Sequence, residues 1–477
     1  MEYSMKISFL CFLIGAINLS AKAQLNEQIQ NVIKEDDLKR YVRVLSSDSL
    51  EGRFTASEGQ KKAALYIAEN MSSIGVSPLF DSYYDTFSLY EYSWGKIYIR
   101  TRDKWFNNQE EIAYLGFCDQ AEEKKVDLVF AGYGSEGELS QIDVKDRMVL
   151  LFSKNIRASF NIQQKIKKMG AYGAIMANPE NSKQFNAIKN SRAAHLLAKR
   201  FSFSELEMPE NNMQKFVIRN QKIKSLTGKS IFQLKQFVKK GTIDKCPLST
   251  VYIKSERKIK KVQTENVAGL IKGKSDKYIV VSAHYDHLGK GKSFFYPGAD
   301  DNASGVASML EIADFFSTIE NLNHQMIFLA TTGEETGFFG AKHFINEHGF
   351  DSSNILVNIN LDMIARSNQE ETDYLYVVGT DVYQDFKPFI TRADSAYTPC
   401  RIDYRLESED NQSTTYLCTD QYIFHKKNIP AILFHTGLHD DYHKPTDLPS
   451  RINFNLLKKR TVLITLILLE IQKMNGF

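Results

Sequence analysis

Tyr278-Ile279-Val280-Val281-Ser282-Ala283-His284-Tyr285-Asp286 is followed, after a glycine-containing loop, by Pro297-Gly298-Ala299-Asp300-Asp301-Asn302-Ala303-Ser304-Gly305. The first six residues form an apolar run rich in β-branched side chains, which predicts a buried strand delivering His284 and Asp286 at its end. Beyond Gly305, Val306, Met309, Leu310, Ala313 and Phe316 recur at helical spacing, so Asp300 and Asp301 stand at the mouth of an amphipathic helix. A histidine and paired aspartates at the carboxyl end of a strand in an α/β sheet occupy the place where such folds bind ligands. The pattern predicts a metal site.

The same alternation continues outward. Strands are expected at 278–283, 326–332, 355–362, 374–379 and 430–435, and helices at 304–316, 338–348 and 453–473. This predicts an α/β fold with an open, mostly parallel mixed sheet covered by helices on both faces. Upstream, Ala64, Ile67, Ala68 and Met71 mark a helix over 58–74 that stops at Gly75. Alternating aromatic and polar residues from Phe80 to Phe117 suggest strands and a linker. Val126–Phe130, Met148–Phe152 and Ala171–Ala177, with a basic helix around Gln163–Met169, suggest a second, smaller α/β lobe. The Lys-, Asn-, Gln- and Ser-rich region 183–261 reads as a solvated surface, because Glu205, Glu207 and Glu210 interrupt its lysines.

The 477 residues suggest two or three domains, and 60 basic against 57 acidic residues leave a net charge of +3. That balance argues against a polyanionic partner and so against nucleic acid. Lys6, the apolar run Ile7–Leu19 and Ala21-Lys22-Ala23 make residues 1–23 a secretory signal peptide, which would carry Cys11 away and send the chain to the periplasm or the medium. Cys118, Cys246, Cys400 and Cys418 remain, too few for a disulfide framework; a Cys400–Cys418 bridge and free thiols both stay open. No later stretch predicts a membrane span: Thr461–Ile471 is half the ~20 residues required and lies within a helical pattern.

Further acids and histidines follow the other strands. Gly333-Glu334-Glu335-Thr336-Gly337 succeeds one, Asn360-Leu361-Asp362-Met363 ends the next, and His439-Asp440-Asp441-Tyr442-His443-Lys444-Pro445-Thr446-Asp447 follows the run Ala431–Phe434. Buried unpaired carboxylates cost several kcal/mol, so their recurrence after buried strands has no packing explanation. Two histidines with several carboxylates suit zinc, and a carboxylate can bridge a metal pair about 3.5–4 Å apart.

His284-x-Asp286, Gly298-Ala299-Asp300-Asp301-Asn302-Ala303-Ser304-Gly305, Gly333-Glu334-Glu335, Leu361-Asp362-Met363 and Tyr442-His443-x-Pro445-Thr446-Asp447 together resemble the co-catalytic zinc aminopeptidase family. That family includes bacterial leucyl aminopeptidases, aminopeptidase Y and the glutamate carboxypeptidase relatives. The resemblance implies a zinc exopeptidase fold of the phosphorylase/hydrolase type. Residues 24–120 and 262–477 would form the peptidase domain, with a protease-associated domain inserted at 121–261, whose opening is Phe130-Ala131-Gly132-Tyr133-Gly134.

It further implies two Zn2+ ions, with His284 and Asp362 on one, Glu335 and His443 on the other, and Asp301 bridging. Counting back from Ser304-Gly305 selects Asp301 over Asp300. Glu334 would be the general base, and Asp286 would accept the second ring N–H of His284. The Asp301–Asn302 peptide would be cis.

His287, His324, His343, His348, His425, His435 and His439 match no motif and read as surface or packing residues. Tyr442 is a candidate oxyanion donor or a packing residue. Gln421 stands in Thr419-Asp420-Gln421-Tyr422 where similar sequences carry histidine, which puts a substrate role there in doubt. Arg366 and Arg53 are expected to pair with carboxylates. The function implied is a secreted aminopeptidase acting on peptides with a free N-terminus. A glutaminyl-cyclase-like single-zinc enzyme, a carboxypeptidase for acidic dipeptides and a non-catalytic binding protein are the rivals. Oligomeric state is left open.

Overall fold

The computed structural model describes residues 24–116, 118–156, 159–197, 199–205, 213–291, 294–347, 352–366, 373–407 and 415–474. The expected signal peptide, with Cys11, lies outside the described residues, as does His348. The chain forms two compact units: Met1–Ser88 with Gln263–Phe477, and Leu89–Val262. The second unit thus starts at Leu89, ahead of residue 121.

The first unit is built on a mixed sheet. Its strands are the 263–271 end of β1 (Thr250–Ile271), β2 (Tyr278–His284), β3 (Gln325–Thr331), β4 (Ile355–Leu361), β5 (Tyr374–Val378), β6 (Arg401–Asp403) and β7 (Ala431–His435). Their order is β6-β5-β7-β4-β2-β3-β1. The four central strands, β3, β2, β4 and β7, run parallel, while the 267–271 end of β1 and the β5–β7 pair are antiparallel. His284 lies opposite Thr331, and Leu361 opposite Phe434. The carboxyl ends of the parallel strands are therefore side by side, and the loops that leave them converge.

The strands are buried along nearly their whole length because helices cover both faces. Side chains alternate between two cores: Ile279, Val281 and Ala283 enter one, Val280 the other. The first core is covered by α1 (Glu35–Leu45), α2 (Glu58–Ser73), α3 (Gly305–Ser317), α5 (Lys387–Ala396) and α7 (Phe454–Ile471); α4 (Phe339–Glu347) and the short α6 (Gln421–His425) cover the second. Ser57 caps α2 by accepting from Gln60 N, and Asn453 caps α7 by accepting from Leu456 N. The apolar stretch Thr461–Ile471 lies inside α7, where Val462, Leu463, Ile464, Ile467 and Leu468 are fully buried. Each such side chain stabilises the fold by about 1.5–3 kcal/mol. No described helix is long and apolar enough to cross a membrane.

In the second unit the strands Gln120–Phe130, Met148–Phe152, Gly173–Ala177 and Gln214–Ile218 pair in parallel, and Ile112–Tyr114 adds antiparallel to the last. The region 183–261 is not merely a solvated surface. It supplies the helices Lys183–Leu197 and Ile231–Lys240, the strand Gln214–Ile218, and the core residues Phe216, Ile218, Ile223, Leu226, Leu234, Val251 and Ile253. Lys239 and Lys240 are exposed beside them, and composition averaged over both faces hides the buried one. Cys400 and Cys418 are free thiols, so the Cys400–Cys418 bridge is not formed.

Candidate active site

β2 carries His284 to the sheet's carboxyl edge, where the ring is buried. The segment after Gly298 is pinned beside it by its own polar groups. Asp447 accepts from the backbone N–H groups of Asp300 and Asp301, each at 3.1 Å. Asn302 donates to Leu361 O at 2.8 Å and accepts from Gly305 N and Met363 N, tying the segment to the end of β4. Gly305 permits this approach, since a Cβ there would lie 2.4 Å from Leu361 O. The Asp301–Asn302 peptide is cis.

These anchors separate the two aspartates. Asp300 Oδ1 accepts from Ala365 N at 2.8 Å, and its Oδ2 lies 3.2 Å from His439 Nε2. Asp301 instead faces the histidines: Oδ1 is 3.4 Å from His284 Nε2, and Oδ2 is 3.3 Å from His443 Nε2. Asp362 Oδ1 lies 3.5 Å from His284 Nε2, and Glu335 Oε2 lies 3.2 Å from His443 Nε2.

These separations fit a metal pair. Donors about 2.0–2.2 Å from one tetrahedral zinc are about 3.3–3.6 Å apart, longer than the ~2.7–2.9 Å of a charge-assisted hydrogen bond. His284, Asp301 and Asp362 form one set of three donors, and Asp301 offers its second oxygen to Glu335 and His443. Asp301 Oδ2 is buried without a hydrogen-bond partner among the described residues. A buried carboxylate oxygen in that state is what a cation would satisfy.

The electrostatics agree. Burial raises the Glu334 carboxyl well above its ordinary range; His284 pulls it back, and Glu335 and Asp362 push it further up. Burial lifts Asp286 to about 6. Glu335 is driven the other way: burial opposes its ionisation, but the hydrogen bond from His287 and the His443 ring beside it outweigh that and hold the carboxyl low. Burial lowers the His443 imidazole, yet the Asp301 and Glu335 carboxylates beside it lift it to about 10. Here imidazolium charge stands in for that of a metal among crowded carboxylates.

Glu334 and Glu335 leave the end of β3 through Gly333, whose φ of 73° is the left-handed value that lets the loop turn. Met363, after Asp362, and His443 also have positive φ, at 53° and 55°. Such conformations cost about 1–3 kcal/mol each in non-glycine residues and gather where a site demands them. A cavity of about 820 Å³ opens over the cluster, with Glu334 in its lining. Phe338, Leu406, Leu417, Leu433 and Leu438 make its apolar wall, and the Tyr442 ring stacks on His443 with centroids 3.8 Å apart.

His284, Asp301, Glu334, Glu335, Asp362 and His443 thus meet around one cavity. Asp286 does not make the expected side-chain bond to His284, the separation being 3.9 Å. His284 Nδ1 is instead 3.2 Å from the Asp286 carbonyl, because the carboxylate is engaged by the Thr55 hydroxyl at 2.8 Å and by Glu334 N at 3.2 Å. His287, His435 and His439 are buried residues of the site rather than surface: His287 Nδ1 is 2.7 Å from Glu335 Oε1, and His435 Nδ1 is 2.6 Å from Asp362 O. His324, His343 and His425 bond Ser275, Asp85 and Tyr383 in the packing. Gln421 spends its amide on Tyr416 O and Asn360, within the fold.

Arg366 pairs with Asp441 at 2.7 Å. Arg53 does not bond a carboxylate; its buried guanidinium donates to the carbonyls of Leu45, Tyr285, Pro297 and Gly298, since the turning backbone there leaves carbonyls without partners. Only the His-x-Asp-His spacing could have pointed to His287. No local signal marks Thr55 or His439.

Residues 266–467 match the model of peptidase family M28. A probable zinc metalloprotease of Pyrenophora tritici-repentis is 34% identical over 122 residues, 24% of this chain and 28% of that protein. Aminopeptidase YwaD of Bacillus subtilis is 28% identical over 223 residues, 44% of this chain and 45% of that protein. The alignments thus span less than half of these curated relatives. The solved aminopeptidase from Aneurinibacillus sp. strain AM-1 has the same fold, with a TM-score of 0.54 at 19% identity over 93% of this chain and 95% of that one. The part of the chain that matches the peptidase family M28 model, residues 266–467, is the part that carries the parallel strands and the acids and histidines at their carboxyl edge.

Proposed function

We propose that this protein is an exported zinc aminopeptidase, removing the N-terminal residue of peptides at a two-metal centre. The observation that carries the reading is Asp301, whose two oxygens face separate donor sets at 3.4 and 3.3 Å. His284 and Asp362 would hold one zinc, Glu335 and His443 the other, and Asp301 both. Zinc would supply Lewis acidity, polarising the scissile carbonyl and bringing the pKa of water toward about 7.

Glu334 is the general base in this reading. Its raised pKa suits a carboxyl that takes a proton from attacking water and returns it to the leaving amine. The Glu334 N–H, bonded to Asp286, fixes where the loop begins. The apolar wall excludes water from the reacting atoms. Residues 1–23 serve as the export signal, and 121–261 as a protease-associated domain.

The test is zinc content together with hydrolysis of aminoacyl amides and amino-blocked peptides, for wild type and Glu334→Ala. Two zincs, turnover of free amino termini only, and a loss of about 10²–10⁴ in kcat with zinc retained in the variant are expected. One zinc with cyclisation of N-terminal glutamine, or turnover of blocked peptides, would overturn the assignment.

A further inference from the structure

We propose that His287 is the positioning residue of Glu335, holding one carboxylate oxygen so that only the other is left for a metal. The inference rests on the reading of the site as a zinc centre and extends it to a residue outside the motifs. His287 Nδ1 lies 2.7 Å from Glu335 Oε1, while Glu335 Oε2 lies 3.2 Å from His443 Nε2. The first distance is that of an N–H donating to a carboxylate; the second is that of two donors sharing one ion. The two oxygens therefore have separate tasks.

The imidazole is fixed from several sides. It is fully buried, and its backbone N–H donates to Arg53 O at 3.2 Å. Gly298 covers the ring, with a φ of 58° and room only for hydrogen, since a Cβ there would lie 2.6 Å from His287 Cδ2. The Arg53 guanidinium bonds the carbonyls of Pro297 and Gly298, so one arginine secures both walls of the slot. His287 Nε2 meets no partner among the described residues, leaving Nδ1 as the engaged nitrogen. Without this N–H, the Glu335 carboxylate is free to swing and offer both oxygens to one ion. Loss of such an outer partner typically costs about 10–100-fold in metal affinity.

The test is zinc affinity by chelator competition on the full chain, with zinc content and melting temperature measured on the same samples. His287→Asn keeps an N–H near the Nδ1 position, whereas His287→Phe keeps the ring volume without a donor. The Phe variant is expected to lose affinity for one zinc by about 10–100-fold while the other is unchanged, and the Asn variant to keep most of it. If the Phe variant does not fold, His287→Leu, smaller and likewise without a donor, takes its place with the same expected loss.

Wild-type affinity for both zincs in the donor-free variant would overturn the proposal. So would equal loss in the Asn and donor-free variants at an unchanged melting temperature, which would make the ring nitrogen a ligand itself. A wild-type protein that binds no zinc would overturn the zinc reading as well.

Discussion

The backbone N–H of Glu334 donates to Asp286 Oδ1 at 3.2 Å, joining the loop after β3 to the residue that follows β2 by two positions. The other oxygen of Asp286 accepts from Thr55 at 2.8 Å. One buried carboxylate therefore sets the position of the proposed general base through that residue's backbone N–H.

Asp286→Ala is expected to lower kcat by about 10–100-fold while leaving KM nearly unchanged, because it frees the Glu334 backbone rather than a binding surface. Thr55→Val should have a smaller effect, since the bond from Glu334 survives. Steady-state kinetics on both variants check this; a larger effect from Thr55→Val would contradict it.

Removing metal should destabilise the fold. Asp301 Oδ2 is buried with no hydrogen-bond partner among the described residues, beside Glu335 and two imidazoles. Zinc at 100 times its dissociation constant would stabilise by about 2.7 kcal/mol. Thermal melts with chelator and after zinc is restored measure the difference, and superimposable curves would argue against a linked metal.

Arg53→Lys should destabilise by about 2–4 kcal/mol, although charge is conserved. The guanidinium fork reaches four carbonyls, of Leu45, Tyr285, Pro297 and Gly298, and an ammonium cannot span them. Burial brings the Arg53 pKa down to about 10, so it stays charged at neutral pH. Denaturant unfolding at pH 7 provides the readout.

Glu311, on α3, predicts a pH-dependent stability. Burial raises its carboxyl to about 8; the bond from Lys34 N at 2.7 Å opposes this, while Asp37 and Asp314 reinforce it. The native state then keeps a proton that the unfolded chain releases above about 4.3. This contribution is fully present below that value and is lost as pH rises toward about 8. Glu311→Gln, still able to accept from Lys34, should be more stable than wild type at pH 8 and flatter between pH 5 and 8. Chemical denaturation across that range tests the sign.

Much of the sheet was legible because its strands are continuous apolar runs and its helices have a regular apolar face. Ile355–Leu361 and Phe454–Ile471 fall within two residues of their expected bounds for that reason. The acids and histidines that meet around the cavity were legible because they follow buried strands, where such residues have no packing role. What misled was local spacing. His284 and Asp286, two apart, suggested a ring-to-carboxylate bond, yet Thr55 and Glu334 compete for that carboxylate from distant parts of the chain.

The sequence by itself determined the alternation of strand and helix and the set of acids and histidines at strand ends, because hydrophobic periodicity and the cost of burying charge act along the chain. Only the tertiary structure decided that Asp301 rather than Asp300 faces the histidines, that His287 lies against Glu335, and that Arg53 serves backbone carbonyls. Those choices depend on which donors and acceptors are left unpaired when separate segments pack, and Asp447, Ala365 and His439 reach Asp300–Asp301 across at least 64 residues of chain.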